Sequence, residues 1–454
     1  MDDQTMEALQ AAKKIYQDNK AMTLVSRSNG ETWAGKVYFA EDDGYIWVAL
    51  EQSRNYRNIE ENPRVFFVIE HGVPDRFIQG EGVAEMIGPI EDRPERHMIF
   101  RKVFELVPFA KAFPGVTLIR IRPIRLFISD FTGDWKPRAE VEVTDDVLQV
   151  FQTTLKTQWP AWRVYLQATR YFAFTVTLFS VLIGALLAPS LDWGLLGLTL
   201  LGALLLHAGI NIVSDYFDYR RGADTWQALG SSRVLVDGLM TPSTHIRFGL
   251  TLLWFGSLIG LTLIYLRGLP VLYLGLAGIF IGLFYTAPPL GFKYFALGDL
   301  SVFLAFGPLL LLGSYYVQAE AFAVVPLAVS IPLGLLTAAV LHGNNFRDIA
   351  EDSKAGYRTL AAFLGPRGSG YYYLSLVALA YVLVLVYIGL DWLPWTAALV
   401  LMTLPSAWRN VRVAFRPARV AFTFLDLMTA QLHLYFGLFL TLGYSLDRFT
   451  GLSL

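Results

Sequence analysis

The chain of 454 residues contains no cysteine, which removes disulfides, thiolate nucleophiles and Cys-ligated zinc or iron–sulfur centres from consideration. It is also poor in charge: 17% of residues are Asp, Glu, Lys or Arg, against about 25% in an average soluble domain. Lys+Arg (37) nearly balance Asp+Glu (38), and no long basic run is present, so a nucleic-acid footprint is not expected. The N-terminus, MDDQTMEALQ, is acidic and has no basic segment followed by an apolar core, so it does not read as a secretory signal.

The shortage of charge is confined to one part of the chain. Residues 1–159 hold 20 basic and 25 acidic side chains, whereas the 295 residues that follow hold 17 and 13. Such a break implies two solvents, with the first part in water and the second mostly in lipid. Nine apolar runs of bilayer-spanning size are expected, at about 167–188, 193–214, 246–266, 269–287, 297–318, 322–343, 370–390, 393–408 and 427–446. Loops after the even-numbered runs carry Arg220, Arg221 and Arg233, then Lys293, then Arg347, Lys354, Arg358 and Arg367, then Arg409, Arg412, Arg416 and Arg419. The opposite loops offer essentially Arg267 and Arg448. The positive-inside rule therefore predicts a multi-pass protein of the cell inner membrane, with the N-terminal domain and these loops facing the cytoplasm.

Of the 13 acids after residue 159, seven fall in two of those cytoplasmic loops. The first reads NIVSDYFDYRRGAD, in which Asn211, Asp215 and Asp218 share a helix face and Asp224 follows a glycine. The second reads NNFRDIAEDSKAGYRTL, with Asn344, Asp348 and Asp352 spaced by four. Two faces of carboxylates and amides at one end of a helical bundle suit a hard divalent cation such as Mg2+ shared with substrate phosphates. Arg233, Lys293, Arg347 and Arg358, expected on the same side, suit the phosphate oxygens. The plainer alternative is a pair of solvated loops with locally paired charges. His207 and His342, each just before an Asn motif, are read as hydrogen-bonded packing histidines, Tyr371–Tyr373 as an interfacial belt, and the 409–419 arginines as a lipid contact.

The membrane half resembles the UbiA superfamily of intramembrane aromatic prenyltransferases, and most its MenA-type branch, which prenylates 1,4-dihydroxy-2-naphthoate. The resemblance rests on the two Asn/Asp motifs, on GSSRVLVDGLMTP at 230–242, and on YTAPPLGFKYFALGD at 285–299, where Asp299 stands in place of an expected Glu. Arg170 matches an Arg that opens the first helix in that branch, with Tyr171 in place of its proline. The resemblance implies a nine-helix fold in which Mg2+ bridges the acids and the diphosphate of a polyprenyl donor. It implies metal roles for Asp215, Asp218, Asp348 and Asp352, with Asp224 participating. It further implies donor diphosphate contacts from Arg170, Asn211, Arg233, Lys293, Asn344, Arg347 and Arg358, and a place for Tyr285 in the reacting cavity. Menaquinone biosynthesis is the expected pathway, with homogentisate or hydroxybenzoate as other acceptors.

In the N-terminal part, a short helix at 6–18 precedes alternating apolar segments at 22–26, 34–40, 45–50, 64–70, 77–87 and 117–131, with a helix at 91–113. SNG at 28–30 and EDDG at 41–44 mark turns. Six strands and few helices predict a small β-barrel over 1–131, followed by a linker at 132–162 that contains Gly133, Pro137, Trp159, Pro160 and Trp162, and the membrane domain over 163–454. The order of these pieces resembles the pyridoxamine 5′-phosphate oxidase-like FMN-binding split barrel, best matched at GYIWVALEQSRNYRNIEENPRV. That resemblance implies FMN phosphate contacts from Ser53 and Arg54, with Lys36 replacing the lysine that Asn55 displaces, and a homodimer through the barrel. Two readings from other classes remain open: a transporter using the acids as an ion site, and a flavin-dependent quinone oxidoreductase with a quinone-binding membrane anchor.

Overall fold

The computed structural model divides into two compact units, Met1–Ala161 and Trp162–Leu454. The structure describes the chain except for residues 71–74, 104–105, 107–108, 111–112, 114, 133–137, 157–160, 225–230, 355, 418–419 and 451–454. Gly133, Pro137, Trp159, Pro160, Gly230 and Arg419, named above, lie outside the described residues.

The first unit is a closed barrel of six antiparallel strands: β1 (Ala21–Ser28), β2 (Glu31–Asp42), β3 (Tyr45–Leu50), β4 (Arg64–Glu70), β5 (Arg76–Pro89) and β6 (Thr117–Asp130). The order β3-β2-β1-β4-β5-β6 closes because β6 also pairs with β3, Ile46 opposite Ile121. Both expected tight turns form. Asn29 and Gly30 (φ 48° and 85°), then Asp43 and Gly44 (φ 52° and 85°), adopt the left-handed pairs that two-residue hairpins with right-twisted strands require. The alternation legible in β1 is the alternation of burial, with Met22, Leu24, Ser26 and Ser28 inside. Gly80 is needed for space, since the Phe67 ring opposite it would lie 2.3 Å from an added Cβ. The helix Asp3–Asp18, capped by the Asp2 side chain on the Thr5 amide, closes the barrel with Leu9, Ala12, Ile15 and Tyr16.

Segment 132–162 carries more structure than a linker. A seventh strand, β7 (Arg138–Glu142), pairs with β6, and the helix Asp145–Thr153 packs Val147, Leu148 and Phe151 into the barrel core. Glu140 and Glu142 point outward from the alternating strand, and Asp145 and Asp146 lie in the first turn of the helix, where negative charge is favoured. Of the helix expected at 91–113, the described part contains Arg96–Lys102.

The second unit is helical. Among the described residues, six helices are long and apolar enough to cross a membrane. They are Trp193–Arg221, Pro242–Arg267, Gly298–Ala319, Val324–Arg347, Leu360–Gly389 and the C-terminal Leu425–Thr450. A seventh arises if Ala161–Ala168 and Tyr171–Leu186, bent by 48°, form one span. The expected count of nine is therefore not reached. Leu269–Leu283 has only 15 residues, and the run expected at 393–408 is a 3-10 segment, Trp395–Thr403, followed by the amphipathic helix Leu404–Ala414. Both are apolar but short of the roughly 20 helical residues that a bilayer demands. Helices approach closely through glycine: at Gly184 an added Cβ would meet the Leu311 carbonyl at 2.4 Å, and at Gly209 the Gly249 carbonyl at 2.9 Å. Large apolar side chains such as Trp254, Tyr265, Tyr273 and Phe280 remain exposed, as a lipid-facing surface needs.

Candidate active site

The helix Trp193–Arg221 continues past its apolar part into the first acidic motif and ends at Gly222, whose left-handed φ of 72° stops it. Asp215 and Asp218 are each 2% exposed. Burial at that level requires partners for every carboxylate oxygen. Asp215 accepts from the Arg170 guanidinium and, over 2.9 Å, from the Ser232 amide. Asp218 accepts from Lys293 Nζ over 2.9 Å and from the Tyr294 hydroxyl. Asn211, one turn earlier, donates to the Thr169 carbonyl over 3.1 Å, fixing the chain just before Arg170. Arg170 itself holds a left-handed backbone (φ 55°), a conformation costing about 1–2 kcal/mol for a residue with a Cβ.

The second motif lies at the end of the helix Val324–Arg347. Arg347 donates from Nε to Asp348 Oδ1 over 2.9 Å, from Nη2 to Asp348 Oδ2 over 3.0 Å and to Asn344, and pairs through Nη1 with Asp426 at 2.8 Å. Asp352 follows in the short helix Ile349–Lys354 and accepts from the Thr359 hydroxyl over 3.2 Å. Backbone bridging between Phe295 and Arg358 ties this loop to the Lys293 loop.

Electrostatics link the two motifs. Burial pushes the Asp224 carboxyl up to about 8, with Asp218 and Asp215 adding to the rise and Lys293 and Arg170 opposing it. Burial likewise pushes Asp352 up to about 6, with Lys293 drawing it down and Asp348 and Asp218 pushing it up. Burial alone would lower Lys293, yet Asp218 and Asp224 hold its ammonium well above the ordinary lysine range. One lysine thus senses both clusters.

Among the described residues, no three acidic or imidazole groups already converge as a metal cage. The residues nevertheless fit Mg2+: the donors are all oxygens, and the Asp224 and Asp352 carboxylates, whose ionised form burial disfavours, are ones that a divalent cation would stabilise. Asp215, Asp218 and Asp224 on one side, with Asp348 and Asp352 on the other, would hold it.

Beside the acids lies a cavity of about 520 Å³, lined mostly by apolar side chains, with Arg170, His207, Asn211, Tyr285, Asn344 and Asp426 among its polar walls. The structure thus brings together Asn211, Asp215, Asp218, Asp224, Arg170, Lys293 and Tyr285, and separately Asn344, Arg347, Asp348 and Asp352. Arg233 follows Ser232, whose amide bonds Asp215; its own side chain is 1% exposed and grips Asp237 at 2.8 Å, four residues on. Two participants, Tyr294 and Asp426, escaped the sequence reading. Tyr294 lies beside Lys293, and its hydroxyl reaches Asp218. Asp426 pairs with Arg347 across the bundle. Asp299 and His342 form a buried pair, His342 Nδ1 to Asp299 Oδ2 at 2.8 Å, in keeping with the packing role expected for that histidine. An acid at the start of the last helix, after an arginine-rich loop, was the available signal for Asp426.

In the barrel, Ser53 caps the helix Arg54–Glu61 by accepting from the Tyr56 amide, and the Arg54 guanidinium lies 4.8 Å above the Trp33 ring. Asn55 is buried and accepts from the Ser26 hydroxyl over 2.7 Å, so it serves the fold. Lys36 is exposed on β2.

Residues 8–129 match the family model of pyridoxamine 5′-phosphate oxidase. The chain is 35% identical over 306 residues to UbiA prenyltransferase domain-containing protein 1 of Mus musculus, covering 63% of this chain and 89% of that protein. It is 36% identical over 285 residues to the Homo sapiens protein of the same name, covering 62% and 82%. A solved apo structure of a UbiA homolog from Aeropyrum pernix K1 aligns at 19% identity with a TM-score of 0.46, over 62% of this chain and 98% of that one. Residues 177–450, more than half the chain, match the UbiA prenyltransferase family. The chain belongs to that family of membrane-embedded aromatic prenyltransferases.

Proposed function

We propose that the protein transfers a polyprenyl group from polyprenyl diphosphate to 1,4-dihydroxy-2-naphthoate or a similar electron-rich hydroquinone acid, in a Mg2+-dependent reaction. The observation that carries this reading is the pair of buried acidic clusters joined through Lys293 beside an apolar cavity. Bound Mg2+ would supply Lewis-acid stabilisation of the charge that develops on the leaving diphosphate. Arg170 and Lys293 orient the acids and present positive charge to the diphosphate oxygens, which is worth more in a water-poor site than in solution. Asn211 and Asn344 position the two motifs through their own hydrogen bonds. The apolar cavity takes the prenyl chain and keeps water from the reacting carbon, with Tyr285 in its wall.

The acceptor is a matter for assay. Membranes incubated with labelled polyprenyl diphosphate, Mg2+ and a panel of dihydroxynaphthoate, homogentisate and hydroxybenzoate should show metal-dependent transfer to the naphthoate. Transfer to another acceptor alone would overturn that choice and leave the reaction class standing. Absence of any Mg2+-dependent transfer would overturn the whole reading.

We further propose that the barrel binds FMN, with the capped helix start at Ser53 and the exposed Arg54 and Lys36 contacting its phosphate. FMN reduced there by a hydride donor such as a nicotinamide dinucleotide would pass two electrons and two protons to an oxidised acceptor and return it to the quinol. Purified protein that shows no flavin absorbance, and gains none after FMN addition, would remove this part. The orientation that puts both parts on the cytoplasmic side of the inner membrane rests on the loop charges.

A further inference from the structure

One histidine in the cavity wall is held in a manner that packing alone does not require. His207 lies on the helix Trp193–Arg221 four residues before Asn211 and eight before Asp215, so the three share one face. At about 1.5 Å per residue, its Cα sits roughly 6 Å deeper than that of Asn211 and 12 Å deeper than that of Asp215. The Thr177 hydroxyl bonds His207 Nδ1 at 2.7 Å, and the rings of Phe174 and Phe306 flank the imidazole at centroid distances of 5.5 and 4.7 Å. The ring is thereby fixed in position and rotation, while Nε2 has no hydrogen-bond partner among the described residues. When Thr177 donates to Nδ1, Nε2 carries the proton and is a donor turned to whatever fills the cavity.

From this geometry we infer that His207 binds the aromatic acceptor, donating from Nε2 to a ring hydroxyl or carboxylate oxygen and setting which ring carbon faces the donor. The inference rests on the prenyltransferase reading. The diphosphate belongs at the level of the acids, the allylic carbon lies just below it, and the acceptor ring must approach that carbon from within the cavity. His207 fills a slot between two tilted phenylalanine rings and presents one fixed polar atom to an otherwise apolar cavity, which is what a planar ring with an oxygen substituent requires of its binding wall. The prenyl chain offers nothing for Nε2 to bond.

His207→Phe keeps a ring in the slot and removes the nitrogen. It should raise KM for the acceptor about tenfold, the usual cost of an unmade buried hydrogen bond, and leave KM for the prenyl diphosphate within about twofold. His207→Gln, which retains a terminal amide donor, should recover part of the loss. Thr177→Val provides a second test that leaves the imidazole in place. Freed at Nδ1, the ring should lose orientation, and the acceptor KM should rise severalfold with the donor KM unchanged. Equal shifts in both KM values, or none in either, in any of these variants would overturn the inference. Wild-type protein that transfers no prenyl group at all would instead overturn the reaction on which it rests.

Discussion

Lys293 Nζ lies 2.9 Å from Asp218 Oδ2, and the same ammonium opposes the burial-driven rise of the Asp352 carboxyl in the other motif. It therefore acts as the electrostatic hinge between two clusters that are 134 residues apart in sequence, from 218 to 352. Lys293→Met should lower kcat/KM for prenyl transfer by about 100-fold, the usual cost of deleting one preorganised charge from a transition-state site. Assays in purified membranes, normalised to inserted protein, would check this.

Asp215→Asn and Asp348→Asn each remove one charge while preserving volume and hydrogen-bonding shape. Prenyl transfer should fall by at least about 1,000-fold, and membrane insertion and monodispersity in detergent should remain those of the parent. Normal turnover in either variant would show that the acids serve only to balance Arg170 and Arg347.

Asp224, raised to about 8, is largely protonated near neutrality, and Asp352, raised to about 6, is half protonated near pH 6; a metal must displace those protons. The Mg2+ concentration for half-maximal activity should therefore fall as pH rises from 6 to 8, by up to about tenfold per unit for each proton released. For the metal-free protein the sign is opposite: a carboxyl with a raised folded-state value binds more protons folded than unfolded. Its contribution to stability declines as pH rises from the ordinary carboxylate range through about 6 for Asp352 and about 8 for Asp224. Paired Mg2+ titrations and melting curves across this window would resolve both.

Lys102 in the barrel is lowered to about 7 by burial, despite its hydrogen bond to the Tyr16 carbonyl and its seat 3.7 Å from the Phe39 ring centre. The unfolded chain binds that proton up to about 10.5, so barrel stability should rise with pH between about 7 and 10 as the folded lysine sheds its charge. Lys102→Met should flatten this rise, read by hydrogen exchange in strands β2 and β3 of the full-length protein.

Gly184→Val forces a side chain against the Leu311 carbonyl, backbone that cannot yield as a flexible side chain would. The bundle should lose about 1–3 kcal/mol, seen as a lower melting temperature in detergent.

The parts of this architecture legible in sequence are those set by local periodicity. Asn-Gly and Asp-Gly dictated the hairpins of β1–β3, alternation gave the six barrel strands, and four-residue spacing put Asn211, Asp215 and Asp218 on one face. What stayed hidden depends on neighbours remote in the chain. Periodicity says which face of the last helix is polar, but not that Asp426 meets Arg347. Nor does it say that Arg233, a plausible phosphate ligand by type, is enclosed with Asp237. The 3-10 segment at 395–403 has a spanning composition and too short a helix, a distinction carried by backbone geometry alone.

The helix Trp193–Arg221 has 29 residues, hence a length near 43 Å, well beyond the roughly 30 Å of hydrocarbon in a bilayer. Its apolar stretch and its acids thus sort themselves between oil and headgroups along a single rod. An amphiphile with a long tail and a charged head sorts itself in the same way before it meets the protein. Enzyme and donor arrive already aligned, and their encounter becomes a search in two dimensions, with no need to lift a greasy chain into water.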